Sequence, residues 1–225
     1  PQKNFQKQLD AVTSLGACSV PVDAWGLDVV CSGSQKGYMI PPGLGFVAMG
    51  ERAWAAQKQS DLPKFYLDLE RYRKAAAGNS NPFTPPVNLY FALEAALDLM
   101  QDEGLEAIFA RHDRHRRASQ AAMRALGLPL FAADGYGSPA ITAVAPAGLD
   151  AEALRKAVKG RYDILLAGGQ DHLKGKVFRI GHLGFVCDRD VLTAVAAIEG
   201  ALADLGAASA QPGAGVAAAA AVLQG

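Results

Sequence analysis

The sequence predicts an α/β protein, on three observations. Two short apolar runs, Leu27–Cys31 and Phe46–Met49, read as buried strands flanking a loop of small residues. Val87–Gln101 places Leu89, Phe91, Leu93, Ala96, Leu97 and Met100 at helical spacing. From Leu128 onward strand and helix patterns alternate: strand at Ala140–Ala145, helix at Asp150–Lys159, strands at Ile164–Ala167 and Lys176–Ile180, helix from Arg189 to Leu205. That alternation suits helices packed on a small sheet.

The chain opens on a polar stretch, Pro1 to Gln8, without an initiator methionine, and reads as the boundary of a fragment. Leu9-Asp10-Ala11-Val12 follows. Asp10 alone would suit a helix N-cap. The loop between the two apolar runs, Ser32-Gly33-Ser34-Gln35-Lys36-Gly37 through Pro41-Pro42-Gly43, holds one lysine. Small neighbours let a planar group approach the backbone, and two prolines fix the exit path. Desolvation favours the neutral amine of a lysine, and a neutral amine attacks aldehydes. On the local pattern alone an ordinary surface loop is an equal reading.

Glu51–Gln59 reads as a short helix, and Asp61–Ala77 as an amphipathic segment wrapping the domain rather than a nucleic-acid surface. Gly78 to Pro86 is a proline-stiffened loop that holds Thr84 between fixed points. Leu105 starts a long helix ended by Gly127. It carries Arg111-His112-Asp113-Arg114-His115-Arg116-Arg117. His112 and His115 share a face and could ligate a metal, but without an evident third ligand the segment reads as a solvated basic face. Ala167-Gly168-Gly169-Gln170 makes a poor phosphate loop. Arg179 alternates with apolar residues in Val177–Ile180, where a guanidinium can grip a carboxylate by two bonds or form a structural ion pair. His182 reads as a packed turn residue. Ala207–Gly225, mostly alanine and glycine, reads as a loose tail.

Composition bounds the rest. The chain has 225 residues with 22 Lys plus Arg against 22 Asp plus Glu, so no charge bias points to nucleic acid or an anionic membrane. No apolar run approaches the roughly 20 residues that span a bilayer. Cys18, Cys31 and Cys187 are odd in number and form no CxxC pair, so they read as core residues of a protein in a reducing cytoplasm.

Ser32-Gly33-Ser34-Gln35-Lys36 followed by Pro41-Pro42-Gly43 resembles the active-site stretch of the class V pyridoxal-phosphate aminotransferases, the alanine–glyoxylate and serine–pyruvate group above all. The resemblance covers Leu9 to about Leu205. It implies fold type I: the C-terminal part of the cofactor-binding large domain over residues 1–103, a small C-terminal α/β domain over 104–206, and an Ala/Gly-rich tail over 207–225. It implies that Lys36 carries pyridoxal 5'-phosphate and moves protons, that Asp10 keeps the ring nitrogen protonated, and that Val12 packs on the ring. Gln35 and, from a second subunit of a homodimer, Thr84 would hold the phosphate. Asn81 stands where the family often has tyrosine. Arg179, in Arg-Ile-Gly, would bind the α-carboxylate. No metal is implied. The resemblance implies transamination between alanine or serine and glyoxylate or pyruvate. The fragment alone is expected to be inactive. Two alternatives to transamination stay open. One is a class V lyase or desulfurase, which usually has histidine at the position of Gln35 and needs a mobile cysteine. The other is a non-enzymatic companion, since some cyanobacterial members carry the name of a soluble hydrogenase small subunit.

Overall fold

The computed structural model describes residues 7–225; the polar opening read as a fragment boundary lies, up to Gln6, outside the described residues. The chain forms two compact units, one of residues up to Leu15 with Val20–Asp102, the other of Gly16–Ser19 with Glu103–Gly225.

The first unit holds a mixed three-stranded sheet in the order β1 (Gln8–Asp10), β2 (Val29–Gly33), β3 (Gly45–Met49). β1 runs parallel to β2 with Asp10 opposite Cys31, and β3 is antiparallel with Gly33 opposite Gly45. Residues 8–10 thus form a strand where the sequence offered none. β2 is the inner strand and buries Val30, Ser32 and Gly33. β3, expected to be buried, is instead the outer strand, with Val47 46% exposed. An apolar run shows that a strand can be covered, and only the sheet order shows which one is.

The helices of this unit are α1 (Glu51–Gln57), α2 (Leu69–Ala77) and α3 (Val87–Glu103). Arg52 grips Asp28 through both carboxylate oxygens, at 2.7 and 2.9 Å, and the Lys7 backbone N–H donates to Oδ2 at 2.8 Å. These bonds, the Lys7 one first, hold the Asp28 carboxyl below its usual range. α2, expected to wrap the domain, has no fully buried residue. Its Tyr72 instead joins Phe65 and Tyr66 around Phe83, with ring centroids 4.9–6.1 Å apart. Aromatic rings cover one another there instead of a core.

The second unit has an antiparallel sheet in the order β4 (Ile141–Val144), β6 (Phe178–Gly181), β5 (Ala167–Gly168). Residues 164–166, expected to belong to the strand that ends at Ala167, lie outside β5. α4 (Leu105–Ala125), α5 (Ala151–Tyr162), α6 (Asp188–Asp204) and α7 (Ala214–Gln224) complete the unit. Its core joins Met123, Leu154, Val158, Phe178, Ile180, Val195, Ile198 and Leu202. Asp150 caps α5 by accepting from the Glu152 N–H at 2.8 Å.

The expected loose tail is a helix. α7 packs on α4 and α6 and buries Ala219, while Val216, Val222 and Leu223 lie against the core. Alanine has high helix propensity, and its small side chain permits close helix contact. Gly213 offers α7 no side-chain cap, and the Glu199 carboxylate of α6 accepts from the N–H groups of Gly213 and Val216 instead. A negative charge there also suits the helix dipole.

The expected solvated basic face is corrected most sharply. His112 and His115 are both 0% exposed. They belong to a stripe of α4 that buries Ile108, His112, His115, Ser119 and Ala122. The Gly184 N–H donates to His112 Nε2 at 3.0 Å, so the proton sits on Nδ1, which donates to the Ile108 carbonyl at 2.8 Å. His115 Nε2 donates to Asp188 Oδ1 at 2.8 Å, and Arg114 reaches the same oxygen at 2.8 Å. Arg111 donates to the carbonyls of Gly184 and Val186 while pairing with Glu103. The segment is a clamp on the 182–188 loop. Among the described residues no group of three or more His, Cys, Asp or Glu is placed to hold a metal.

Burial lowers the pKa of all three histidines of this cluster, that of His182 to about 4. His115 is held down although it faces Asp188: Arg114 already supplies the positive charge, and protonation would bury an N–H at Nδ1, which has no partner. The unfolded chain then takes up protons first, so stability is full above pH ~6.5 and falls as pH drops towards 4. For His182 alone the loss is about 3 kcal/mol at 1.36 kcal/mol per unit. Denaturant titrations between pH 7 and 4 should show this slope, reduced in His182→Asn. A flat wild-type profile would contradict the neutral buried cluster.

Candidate active site

The loop between β2 and β3 is shaped by one buried serine. Ser34 is 0% exposed; its Oγ donates to the Pro41 carbonyl at 2.8 Å and accepts from the Leu44 N–H at 3.2 Å. Its backbone N–H donates to Leu44 O and its carbonyl accepts from the Ile40 N–H. The chain between Ser34 and Leu44 is therefore closed on itself. Met39 takes a left-handed conformation at φ 63°, a strained turn for a side chain of that size. Gly43 has φ +146°, and a Cβ there would come 2.5 Å from Leu89 Cδ1, so only glycine lets the loop exit against α3. Lys36 stands half-buried on this closed loop, between exposed Gln35 and buried Gly37.

Asp10 is brought to the same edge of the sheet. β1 and β2 are parallel, so Asp10 at the end of one and Gln35-Lys36 beyond the end of the other lie past the carboxyl ends of neighbouring strands. That edge is where α/β sheets place ligands. Asp10 is exposed, and its Oδ1 accepts from the Val12 N–H at 3.0 Å. Ala11, fully buried, donates its N–H to Cys31 O at 2.8 Å and accepts from Ser32 Oγ at 3.4 Å, which ties the Asp10–Val12 turn to β2. Val12 is half-buried. An amine, a carboxylate, an amide and an apolar side chain at one open edge fit a pyridine aldehyde carrying a phosphate. Asp28, another aspartate of this unit, is committed to Arg52.

Thr84 is exposed and lines a cavity of about 680 Å³ together with Tyr38, Phe46, Tyr66, Phe83 and Tyr90. Lys36, Gln35, Asp10 and Val12 are not among its lining residues. Asn81, in place of a tyrosine, accepts from Tyr90 Oη at 3.1 Å.

In the second unit, Arg179 is half-buried on β6 and points away from the face of Phe178 and Ile180. Its Nε donates to the Gly168 carbonyl at 2.9 Å, and among the described residues it has no carboxylate partner within ion-pair distance. His182, just beyond it, is packed as expected: it is 0% exposed and its Nε2 meets Thr142 Oγ1 at 3.0 Å, while the burial of His112 and His115 in the same cluster is what sequence reasoning missed. The signal for the cluster was the stripe from Ile108 to Ala122, in which both histidines keep the helical spacing.

The cysteines, expected in the core, are half-buried at Cys18 and Cys31 and exposed at Cys187. Cys187 ends a loop and caps α6 reciprocally with Asp190.

The parallel strand pair thus carries an aspartate at the end of one strand and a lysine just beyond the end of the other. Residues 2–182 match the aminotransferase class-V family model, and the chain belongs to that family. It is 67% identical over 96% of its length to the soluble hydrogenase small subunit of Synechococcus sp., of which it covers 56%. It is 38% identical over 96% of its length to the serine–glyoxylate aminotransferase of Methylorubrum extorquens, of which it covers 55%. Among solved structures it resembles the ureidoglycine–glyoxylate aminotransferase of Bacillus subtilis at a TM-score of 0.91 and 31% identity, covering 98% of this chain and 58% of that one. The chain thus spans about half the length of the curated relatives it matches. Among the described residues no helix is long and apolar enough to cross a membrane.

Proposed function

We propose that the protein containing this chain is a pyridoxal-phosphate aminotransferase that exchanges the amino group between a small amino acid, alanine or serine, and glyoxylate or pyruvate. The observation that carries it is Lys36 on the Ser34-closed loop with Asp10 at the end of the neighbouring parallel strand. Glyoxylate is the acceptor in the names of two relatives.

Pyridoxal phosphate, when bound, supplies an electron sink for the Cα of the amino acid. Lys36 would hold the group and, as a free amine, would take the proton from Cα and return it. Asp10 would keep the group's nitrogen protonated by a charge-assisted bond, typically worth about 1.5–3 kcal/mol. Val12 would lie beside the group, and Gln35 would help hold its phosphate. Arg179 orients the α-carboxylate. Thr84, rigid between prolines and exposed, would donate to the phosphate of a second subunit, which makes the active unit a homodimer with shared sites.

The test uses a version of the chain completed to the length of its relatives and loaded with cofactor. Alanine or serine should bleach the cofactor absorbance and glyoxylate should restore it, with ping-pong kinetics. No spectral response to any amino acid would overturn the reading. Mixing Lys36→Ala with Thr84→Ala subunits should restore part of the activity if sites are shared, and a fully active monomer would overturn the dimer.

A second reading, a companion role in a hydrogenase assembly, rests on the name of the Synechococcus relative, and amino-donor-driven spectral change would set it aside. A desulfurase reading fits poorly with Gln35 before the lysine and with Cys187 engaged in a helix cap.

A further inference from the structure

Arg179 is held by more than its own strand. The carbonyl that accepts from its Nε belongs to Gly168, the last residue of β5. β5 has two residues and pairs with β6 through Ala167 opposite Arg179 and Gly168 opposite Phe178. So short a strand has little pairing energy to fix its position. α5 supplies the rest. Arg155 Nε donates to the Leu166 carbonyl at 2.7 Å, and Arg155 Nη1 donates to Glu152 Oε2 at 2.5 Å one turn earlier on the helix. This ion pair lies directly against Gly168. A Cβ built there would stand 2.8 Å from Arg155 Nη1 and 2.8 Å from Glu152 Oε1.

We propose that Arg155, held by Glu152, is a positioning residue for carboxylate recognition by Arg179, and that the bound group is the carboxylate of a small acid gripped end-on by the two Nη groups. This rests on the reading of Arg179 as the carboxylate-binding residue. A guanidinium has five donors in one plane. With Nε committed to Gly168, rotation about the end of the side chain is fixed, and the two Nη groups remain as a parallel pair of donors. That pair matches the two oxygens of a carboxylate. The aim of the fork is therefore only as good as the position of the Gly168 carbonyl, and Arg155 holds the strand at the Leu166 carbonyl, two residues before it, while the Gly169 N–H is tied to the Val177 carbonyl at 2.8 Å after it. A side chain at 168 would have to displace the ends of Arg155 and Glu152 from the strand. Amino acid and keto acid present the same carboxylate, so the device serves both halves of the exchange.

The test compares Arg155→Met, Glu152→Gln, Gly168→Ala and Arg179→Lys in the cofactor-loaded protein of full relative length. Propionate, which has the carboxylate but no amino or keto group, is the binding probe. Arg155→Met should weaken propionate binding and raise KM for both substrates by about tenfold, the factor set by 1.4 kcal/mol. kcat should stay within about twofold, the signature of lost uniform binding. Gly168→Ala should act in the same direction, and Glu152→Gln should have a smaller effect. Both keep Arg155 and stand in for it if Arg155→Met fails to fold. Unchanged propionate affinity in Arg155→Met and Gly168→Ala, with affinity lost in Arg179→Lys, overturns the positioning role alone. A lowered melting temperature with KM unchanged also overturns it, as mere structural support. Unchanged propionate affinity in Arg179→Lys overturns the carboxylate assignment on which the proposal stands.

Discussion

Lys36→Ala should abolish transamination, with turnover falling by about four orders of magnitude or more, since a positioned acid–base group alone contributes up to that factor. The residue has two tasks in the proposed site, attachment of the cofactor and transfer of the Cα proton, and alanine can do neither. The geometry ties both tasks to one position. The Ser34 hydroxyl closes the loop through Pro41 and Leu44, Gly43 lets it leave against Leu89, and Lys36 is the amine the closed loop presents. A readout independent of turnover is available. Borohydride treatment of the loaded protein should fix the cofactor to the peptide containing Lys36, and the alanine variant should lose both the label and the yellow colour. Lys58 and Lys64, both exposed in the same unit, are internal controls. A label on either would overturn the central assignment.

The sequence alone showed the Lys36 loop and the long helices well, and the covering of the elements poorly. The Lys36 loop was legible because small residues, one lysine and paired prolines form a long local pattern, and local hydrogen bonds of Ser34 shape it. The helices α3 and α4 were legible to within a few residues, because Gly104 and Gly127, both at positive φ, mark their ends. What failed depended on contacts distant in sequence. The edge position of β3 is set by sheet order. The fold of α7 depends on Glu199 and on the faces of α4 and α6. The charge-rich Arg111–Arg117 segment hid the point that its arginines and histidines serve different faces. Arg116 and Arg117 pair with Asp113 near the surface, while His112 and His115 sit on the buried stripe and bind the 182–188 loop. Counting charge averages those faces together, and helical spacing separates them.

Replacing Asp10 by asparagine should leave the local structure standing and remove most of the activity. Asparagine keeps the Oδ1 acceptor that takes the Val12 N–H at 3.0 Å, and Ala11 keeps its bond to Cys31 O, so the turn beyond β1 should persist. What is lost is the negative charge at the carboxyl edge of the parallel pair. In the proposed site that charge would matter most as the substrate Cα gives up its proton, because Asp10 would keep the cofactor protonated and so able to accept electron density. Removing one group that stabilises developing charge typically costs about 10²–10³ in kcat. Cofactor affinity should change far less, because Lys36, Gln35 and Thr84 would still hold the group. The expected result is therefore a yellow, folded protein with normal borohydride labelling at Lys36 and turnover lower by that factor. Asp10→Glu, which keeps the charge but moves it by one methylene, should fall between the two. Near-normal turnover in Asp10→Asn would show that the ring proton is held by another group, and would remove Asp10 from the site while leaving the Lys36 assignment intact.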